Sequence, residues 1–356
     1  MTLLPSQKRG GLSDFLAVQR ALINHTPVPT NNPLGASVAQ DLQNQQYQLP
    51  NAVYSGQSAD AAYLLAAFTP APFGFYPPNN YGFYANPYAL NGGTVLGNYS
   101  SSTYHGLQLD ATRRLGSGLS LQASYIFSKV LSDSARTTGS ATEFYRDANN
   151  PRLDRAPAPF DIRNSFKINL SYTTPFRKSS SSALRVLLGD TNLSFVAIAQ
   201  SGAPFSVLSG WATVASSYSG GASYNTASLA PGASASQAVQ FHMTGYGPGV
   251  FTSSAQSAFV YPGPGQPGTL QPRMFYGPSI YNIDAAIQRT FRIKETMPLD
   301  LRFEAINLTN RVNWSVSDQS APPPSGLIFL QNGFAGQGAS SAFPPRRVQI
   351  IARFRF

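Results

Sequence analysis

The stretch Arg346-Arg347-Val348-Gln349-Ile350-Ile351-Ala352-Arg353-Phe354-Arg355-Phe356 decides how the rest of this chain is read. From Val348 every second residue is apolar (Val348, Ile350, Ala352, Phe354, Phe356), and the places between hold Arg347, Gln349, Ile351, Arg353 and Arg355. Side chains of a strand alternate between its two faces, so a period of two gives one oily face and one cationic face. Two settings suit such a strand. It can be half-buried in a soluble sandwich, or it can cross a bilayer, for which about 9–11 residues are enough.

Composition leans towards the bilayer. Of 356 residues only 11% are charged while 12% are aromatic, against about 25% charged in ordinary soluble proteins. Twenty-five Lys and Arg against fifteen Asp and Glu leave a formal charge of +10. The basic residues are scattered, with no block beyond pairs such as Lys8-Arg9, Arg113-Arg114 and Arg346-Arg347. That excludes a nucleic-acid groove and leaves an anionic membrane surface as the simple counter-charge. Cysteine is absent, which excludes disulfides, thiolate metal sites and Cys nucleophiles. The longest apolar run, Ala61 to Phe68, is far short of the roughly 20 residues of a membrane helix. Met1 to Gly10 lacks an apolar signal core, so an exported form is expected to take its signal from elsewhere.

Working outward from the terminal stretch, the same period recurs six times. Leu107, Leu109, Ala111 and Leu115 alternate with Gln108, Asp110, Thr112 and Arg114; Gly116-Ser117-Gly118 then turns the chain into Leu119, Leu121, Ala123, Tyr125 and Phe127. This is a hairpin. Further strands are expected at Ile162 to Tyr172, Leu193 to Gln200, Tyr281 to Ile293 and Leu299 to Ala305, the last two joined by the short turn Lys294-Glu295-Thr296-Met297-Pro298. Residues 1–98 read as a loop-rich, extracellular segment with short helices, capped by Ser13 and by Ser58. Pro and Gly crowd the segment from Thr69 to Tyr88, so its aromatic residues belong on a loop. Residues 99–356 carry the strands, and about Ser209 to Ser279 is a very long Gly/Ser/Ala/Pro/Tyr-rich linker.

Connection lengths choose between the two settings. Down the chain they run short, long, intermediate, very long, short, long. Nothing in a sandwich requires that order, whereas outer-membrane barrels alternate short periplasmic turns with long outer loops. The expected fold is therefore all-β: the carboxy-terminal part of an antiparallel transmembrane β-barrel, with seven visible strands and long irregular extracellular loops. Its localisation is then the outer membrane of a Gram-negative bacterium.

Several runs resemble one family. Tyr104-His105-Gly106-Leu107-Gln108-Leu109, Gly118-Leu119-Ser120-Leu121-Gln122-Ala123-Ser124-Tyr125, Phe160-Asp161-Ile162-Arg163, Gln200-Ser201-Gly202-Ala203-Pro204-Phe205, Arg302-Phe303-Glu304-Ala305-Ile306-Asn307-Leu308-Thr309-Asn310-Arg311 and the closing strand are similar to the late barrel of TonB-dependent outer-membrane receptors. The likeness is to the Oar-like group with carboxypeptidase-regulatory-like amino-terminal ends, and it covers about residue 98 onward. The family's plug and TonB box are not found in this chain, so the resemblance implies the carboxy-terminal part of a receptor. It further implies uptake of a large nutrient such as an oligosaccharide, peptide or metal chelate. The sequence assembles no acid/base or nucleophile set, so neither enzymatic activity nor a cofactor is expected. A non-transporting surface or adhesion protein of the same barrel type is the alternative. Implied partners are outer-membrane lipid, the barrel assembly machinery, the nutrient, and the TonB system through the missing amino-terminal part.

Candidate residues follow. Tyr81, Phe83, Tyr84, Trp211, Tyr218 and Tyr246 are loop aromatics suited to ligand contact. Asp284, Asp300, Arg302, Glu304, Arg347 and Arg353 occupy polar strand positions and are expected to line the lumen. By resemblance, Val348, Ile350, Phe354 and Phe356 form the signal read by the assembly machinery. Other motifs fall away. His25, His105 and His242 have no metal-ligand spacing. Gly263-Pro264-Gly265-Gln266-Pro267-Gly268 spells a dinucleotide fingerprint, but it carries prolines and lacks a strand before it or a helix after it. Asp147, Asp154 and Asp161 recur beside Arg146, Arg152, Arg155 and Arg163; Arg–carboxylate lacing is the expected reading, with a Ca2+ site as its alternative.

Overall fold

In the computed structural model the described residues are 11–68, 97–98, 100–116, 118–134, 145–147, 150–174, 189, 191–214, 225–244, 247–252, 254–294, 297–316, 319–320, 339–341 and 344–354. Seven long strands form one sheet: β1 (Ser102–Leu115), β2 (Leu119–Ser132), β3 (Asn164–Thr173), β4 (Thr191–Gln200), β5 (Ile280–Lys294), β6 (Met297–Ile306) and β7 (Arg347–Phe354). Each pairs antiparallel with the next in chain order, so β1 and β7 are the two ends of the path. The short strand Ala156–Pro157 adds to the far end of β2.

Register turns the period of two into a two-faced sheet. One row across it runs Leu115, Leu119, Tyr172, Leu193, Ile287, Phe303, Ile350, and a neighbouring one runs Arg113, Leu121, Leu170, Phe195, Ala285, Ala305, Val348. Between them lie polar rows such as Arg114, Ser120, Ser171, Ser194, Ala286, Glu304, Gln349. A slip of one residue in any strand would exchange its faces. The β1–β2 turn fixes its own register through Gly118, whose φ of +89° favours glycine and whose Cβ, if present, would stand 2.4 Å from the Thr173 carbonyl oxygen.

Among the described residues the sheet carries no packed core. The two buried hydrophobic clusters draw none of their residues from the seven strands. The apolar face is instead open, with Ile350 75% exposed, Leu109 55% and Phe303 46%. A soluble sandwich buries such a face; one left open on this scale needs lipid.

Both cores lie beyond the strands. Four helices, α1 (Gly11–Ile23), α2 (Pro33–Gln43), α3 (Gln48–Tyr54) and α4 (Ser58–Phe68), pack Phe15, Val18, Val38, Val53, Leu64 and Leu65 together. The segment is thus more ordered than scattered short helices. α1 begins at Gly11, ahead of the expected Ser13 cap, and Asn32 caps α2 by accepting from the Gly35 N–H at 2.7 Å. The long β4–β5 connection also departs from expectation, because its described residues are folded. Two-residue ladders pair Pro204–Phe205 with Phe275–Tyr276 and Ser228–Leu229 with Phe259–Val260. Phe205, Val207, Val250, Phe251, Phe259 and Phe275 then share a core.

Candidate functional site

Three features meet at or lead from the end of the sheet that bears the long connections. The first is the polar face. Arg302 and Glu304 form an ion pair at 3.1 Å, and the Gln349 amide donates to Glu304 at 2.7 Å from the adjacent strand. Asp300 accepts from the Thr290 hydroxyl at 2.6 Å and lies opposite Arg353 in register. Arg347 and Asp284 share this parity, so the six polar strand candidates stand on one face. Asp284 has a further task. It accepts from the Asn282 amide and from the Asn307 N–H, each at 2.8 Å.

Asn307 is 1% exposed and sits at φ 51°, a left-handed conformation that asparagine tolerates better than most residues. Its side chain donates to the carbonyls of Arg311 and Pro344, each at 3.0 Å. The run Asn307 to Arg311 thereby closes β6 onto β5 and onto the approach to β7. Arg311 stacks over the Tyr281 ring at 3.8 Å and finishes the corner.

The second feature is a cap built by the connections themselves. Arg146, 7% exposed, pairs with Asp154 at 2.7 Å and donates to Thr226 Oγ1 (3.0 Å), the Gly268 carbonyl (3.2 Å) and the Leu270 carbonyl (3.0 Å). One guanidinium therefore joins the β2–β3 connection to the β4–β5 connection. Arg273, also buried, repeats the link by donating to the carbonyls of Pro157 and Ser134. Asp161 is fully buried and accepts from the Val130 N–H (2.7 Å) and the Tyr276 hydroxyl (2.8 Å), with Arg163 at 3.5 Å. Burial pushes the Tyr276 phenol above its ordinary value, and its bond to Asp161 adds to the shift. Arg–carboxylate lacing is thus present for Asp154 and Asp161.

The third feature is the joint between cap and helices. Trp211 stacks on Tyr261 at 3.8 Å, and its indole N–H donates to the Ser55 carbonyl at 2.9 Å. One face and the polar edge of this ligand-contact candidate are therefore committed within the protein. Ser58 donates to the Thr213 carbonyl and accepts from the Gly265 N–H, both at 2.8 Å, so the expected helix cap serves to dock the helix. The glycine-rich run supplies that partner and also Gly268, whose N–H meets Asn225 at 3.0 Å and where any Cβ would collide with the Thr226 carbonyl. Tyr81, Phe83, Tyr84, Tyr218, Tyr246 and Phe356 lie outside the described residues.

A family model described as "Outer membrane beta barrel domain" matches residues 18–349. The chain belongs to that family. It resides in the outer membrane of Gram-negative bacteria, with a mostly antiparallel sheet of barrel type. No curated protein sequence matches the chain closely enough to count as a relative. The exposed apolar rows of the sheet run through Val348, Ile350 and Phe354. The match also takes in most of the helices, so they are part of the family's pattern and not an appendage. Sequence reading missed Asn307 as a corner and Arg146 as a cross-link. Only the left-handed tolerance of asparagine and the local Arg/Asp alternation pointed to them.

Proposed function

We propose that this outer-membrane chain is the carboxy-terminal barrel part of a TonB-dependent receptor, which takes up a nutrient too large for passive pores. The observation that carries the reading is the cap. Long connections in an outer-membrane barrel are often separate loops; here buried Arg146 and Arg273 hold two of them in fixed relation. A fixed surface of this kind pre-organises recognition, which lowers the entropy cost of binding. The polar face behind it, with Arg302, Glu304, Asp300 and Arg353, lines a water-filled lumen in this reading. An oligosaccharide, peptide or metal chelate is the size of cargo that such a route serves. Energy coupling through the TonB system and insertion by the barrel assembly machinery belong to this reading.

A second reading is a surface or adhesion protein that moves nothing. It is favoured by both hydrophobic cores lying in the cap and helices, outside the sheet. Uptake of a fluorescent nutrient panel by cells producing the full receptor, with and without a protonophore, separates the two. Energy-dependent uptake is expected. Surface binding with no entry under either condition would move the conclusion to adhesion, and entry indifferent to the protonophore would overturn energy-coupled transport.

A further inference from the structure

The helices carry a groove that neither the sheet nor the cap explains. α2 buries Leu34 and Val38 on one side and presents Ser37, Gln40, Asp41 and Asn44 on another, at the three- and four-residue spacing of a single helical stripe. That stripe forms a wall of a depression of about 650 Å³ floored by Leu49, Leu64 and Leu65, within the range of about 300–1,000 Å³ typical of small-molecule sites. Gln46, Tyr47 and Gln48 form its rim. A second depression, of about 370 Å³, shares Gln48 and Leu64 with the first and continues past Asn51, Tyr54 and Gln57. The two make one elongated groove.

The chemistry of its walls is narrow. Side-chain amides are the commonest polar groups, the carboxylates are Asp41 and the buried Asp60, which is already partnered within the protein, and among the described lining residues there is no Lys or Arg. Tyr47 and Tyr54 also line it and are 53% and 54% exposed. Asp41 is partly buried, and its carboxylate takes part in no side-chain hydrogen bond or ion pair among the described residues. Burial holds its pKa above the ordinary carboxylate value. A carboxylate so placed is satisfied by neighbouring hydroxyl donors, amides supply both donors and acceptors, and flat phenol faces cover the apolar faces of sugar rings. An anionic ligand would meet Asp41 without a compensating cation. A purely apolar ligand would strand the amides.

We propose that the groove between α2, α3 and α4 binds a neutral oligosaccharide, with Asp41 as its principal acceptor and Tyr47 and Tyr54 as stacking platforms. The site holds sugar at the joint with the cap, and it does so whether or not transport follows.

The test uses the full chain refolded in detergent micelles, with isothermal titration of maltohexaose, cellohexaose and xylohexaose, and of hexaalanine as a peptide probe. At least one hexasaccharide is expected to bind. Asp41→Asn should weaken it by about tenfold or more, the loss expected for a hydrogen bond to a charged group, while Arg20→Ala on α1 leaves it unchanged. If Asp41→Asn fails to fold by circular dichroism, Tyr47→Ala carries the same test on an exposed side chain. No hexasaccharide binding, binding untouched by these variants, or preference for the peptide would each overturn the proposal. Loss of energy-dependent uptake with this binding intact would instead count against the transport reading alone.

Discussion

Replacing Arg146 with alanine tests whether the cap is one body. The substitution removes the partner of Asp154, which is 3% exposed, and a donor to the Gly268 and Leu270 carbonyls. Breaking a buried ion pair from one side costs about 3–5 kcal/mol, because the remaining charge stays buried and unpaired. The Thr226 hydroxyl still donates to Leu270 and the Arg146 backbone N–H still donates to Asp154, so part of the network survives. Taking only the ion-pair loss, local opening of the cap should rise roughly 100- to 4,000-fold. Hydrogen exchange of the amides at 145–163 and 225–276 reads this directly, with β5 and β6 as an internal reference. Exchange should accelerate in both connections together and stay unchanged in the strands. The paired change Arg146→Met with Asp154→Leu should recover most of the protection, since apolar replacements of a buried pair are often neutral. Acceleration in one connection alone, or a double variant worse than the single, would refute the cross-link.

Cysteine placed at Ile350 or at Arg353 separates the faces of β7: in liposomes a water-soluble maleimide should label the Arg353→Cys variant severalfold faster than Ile350→Cys, and equal rates would sink the two-faced sheet. The Tyr261 phenol, stacked under Trp211, is pushed by burial from 10.0 up to about 12. Since the folded value lies above the unfolded one, its contribution to stability is complete below pH about 10 and is lost as pH rises through about 12. Phenolate absorbance in an alkaline titration should therefore show a late-ionising component to which Tyr261 and Tyr276 contribute, and Tyr261→Phe should reduce its amplitude.

The strands were legible because one face of each is apolar and the other polar, which keeps the period of two undiluted from Leu107 to Phe354. Turn chemistry supplied the rest of the topology, above all Gly118 and the Lys294 to Pro298 turn. The cap was not legible for the opposite reason. Its core draws on Phe205, Phe251, Phe259 and Phe275, which lie in ladders only two to five residues long and scattered over seventy positions of small residues. Such spacing has no period to detect. α2 and α3 were hidden by Pro33, Gly35 and Pro50, residues that read as breakers although Pro33 opens a helix, where its missing N–H costs nothing. Trp211 illustrates a third limit: sequence marks an aromatic residue on a loop, but only packing tells whether its ring faces a ligand or Tyr261.

The register also fixes how the strands lean. The β1–β2 ladder ends at Leu115 and Leu119, in the row that contains Phe303, whereas the β5–β6 ladder runs on to Met297, six residues further. Six residues are about 20 Å at roughly 3.3 Å each, gained over four strand spacings of about 4.8 Å. If both turns rest at one membrane surface, the strands slope by about 45°, close to the inclination of barrel walls. At that slope the ten residues of β3 rise about 23 Å and the fourteen of β1 about 33 Å. The first nearly matches an apolar band of about 25 Å, and the second overshoots it. β1 and β2 then stand proud of the bilayer on the side where the cap is anchored, as a parapet on which Asp161 accepts from the Val130 N–H and Arg155 donates to the hydroxyls of Ser101 and Thr103.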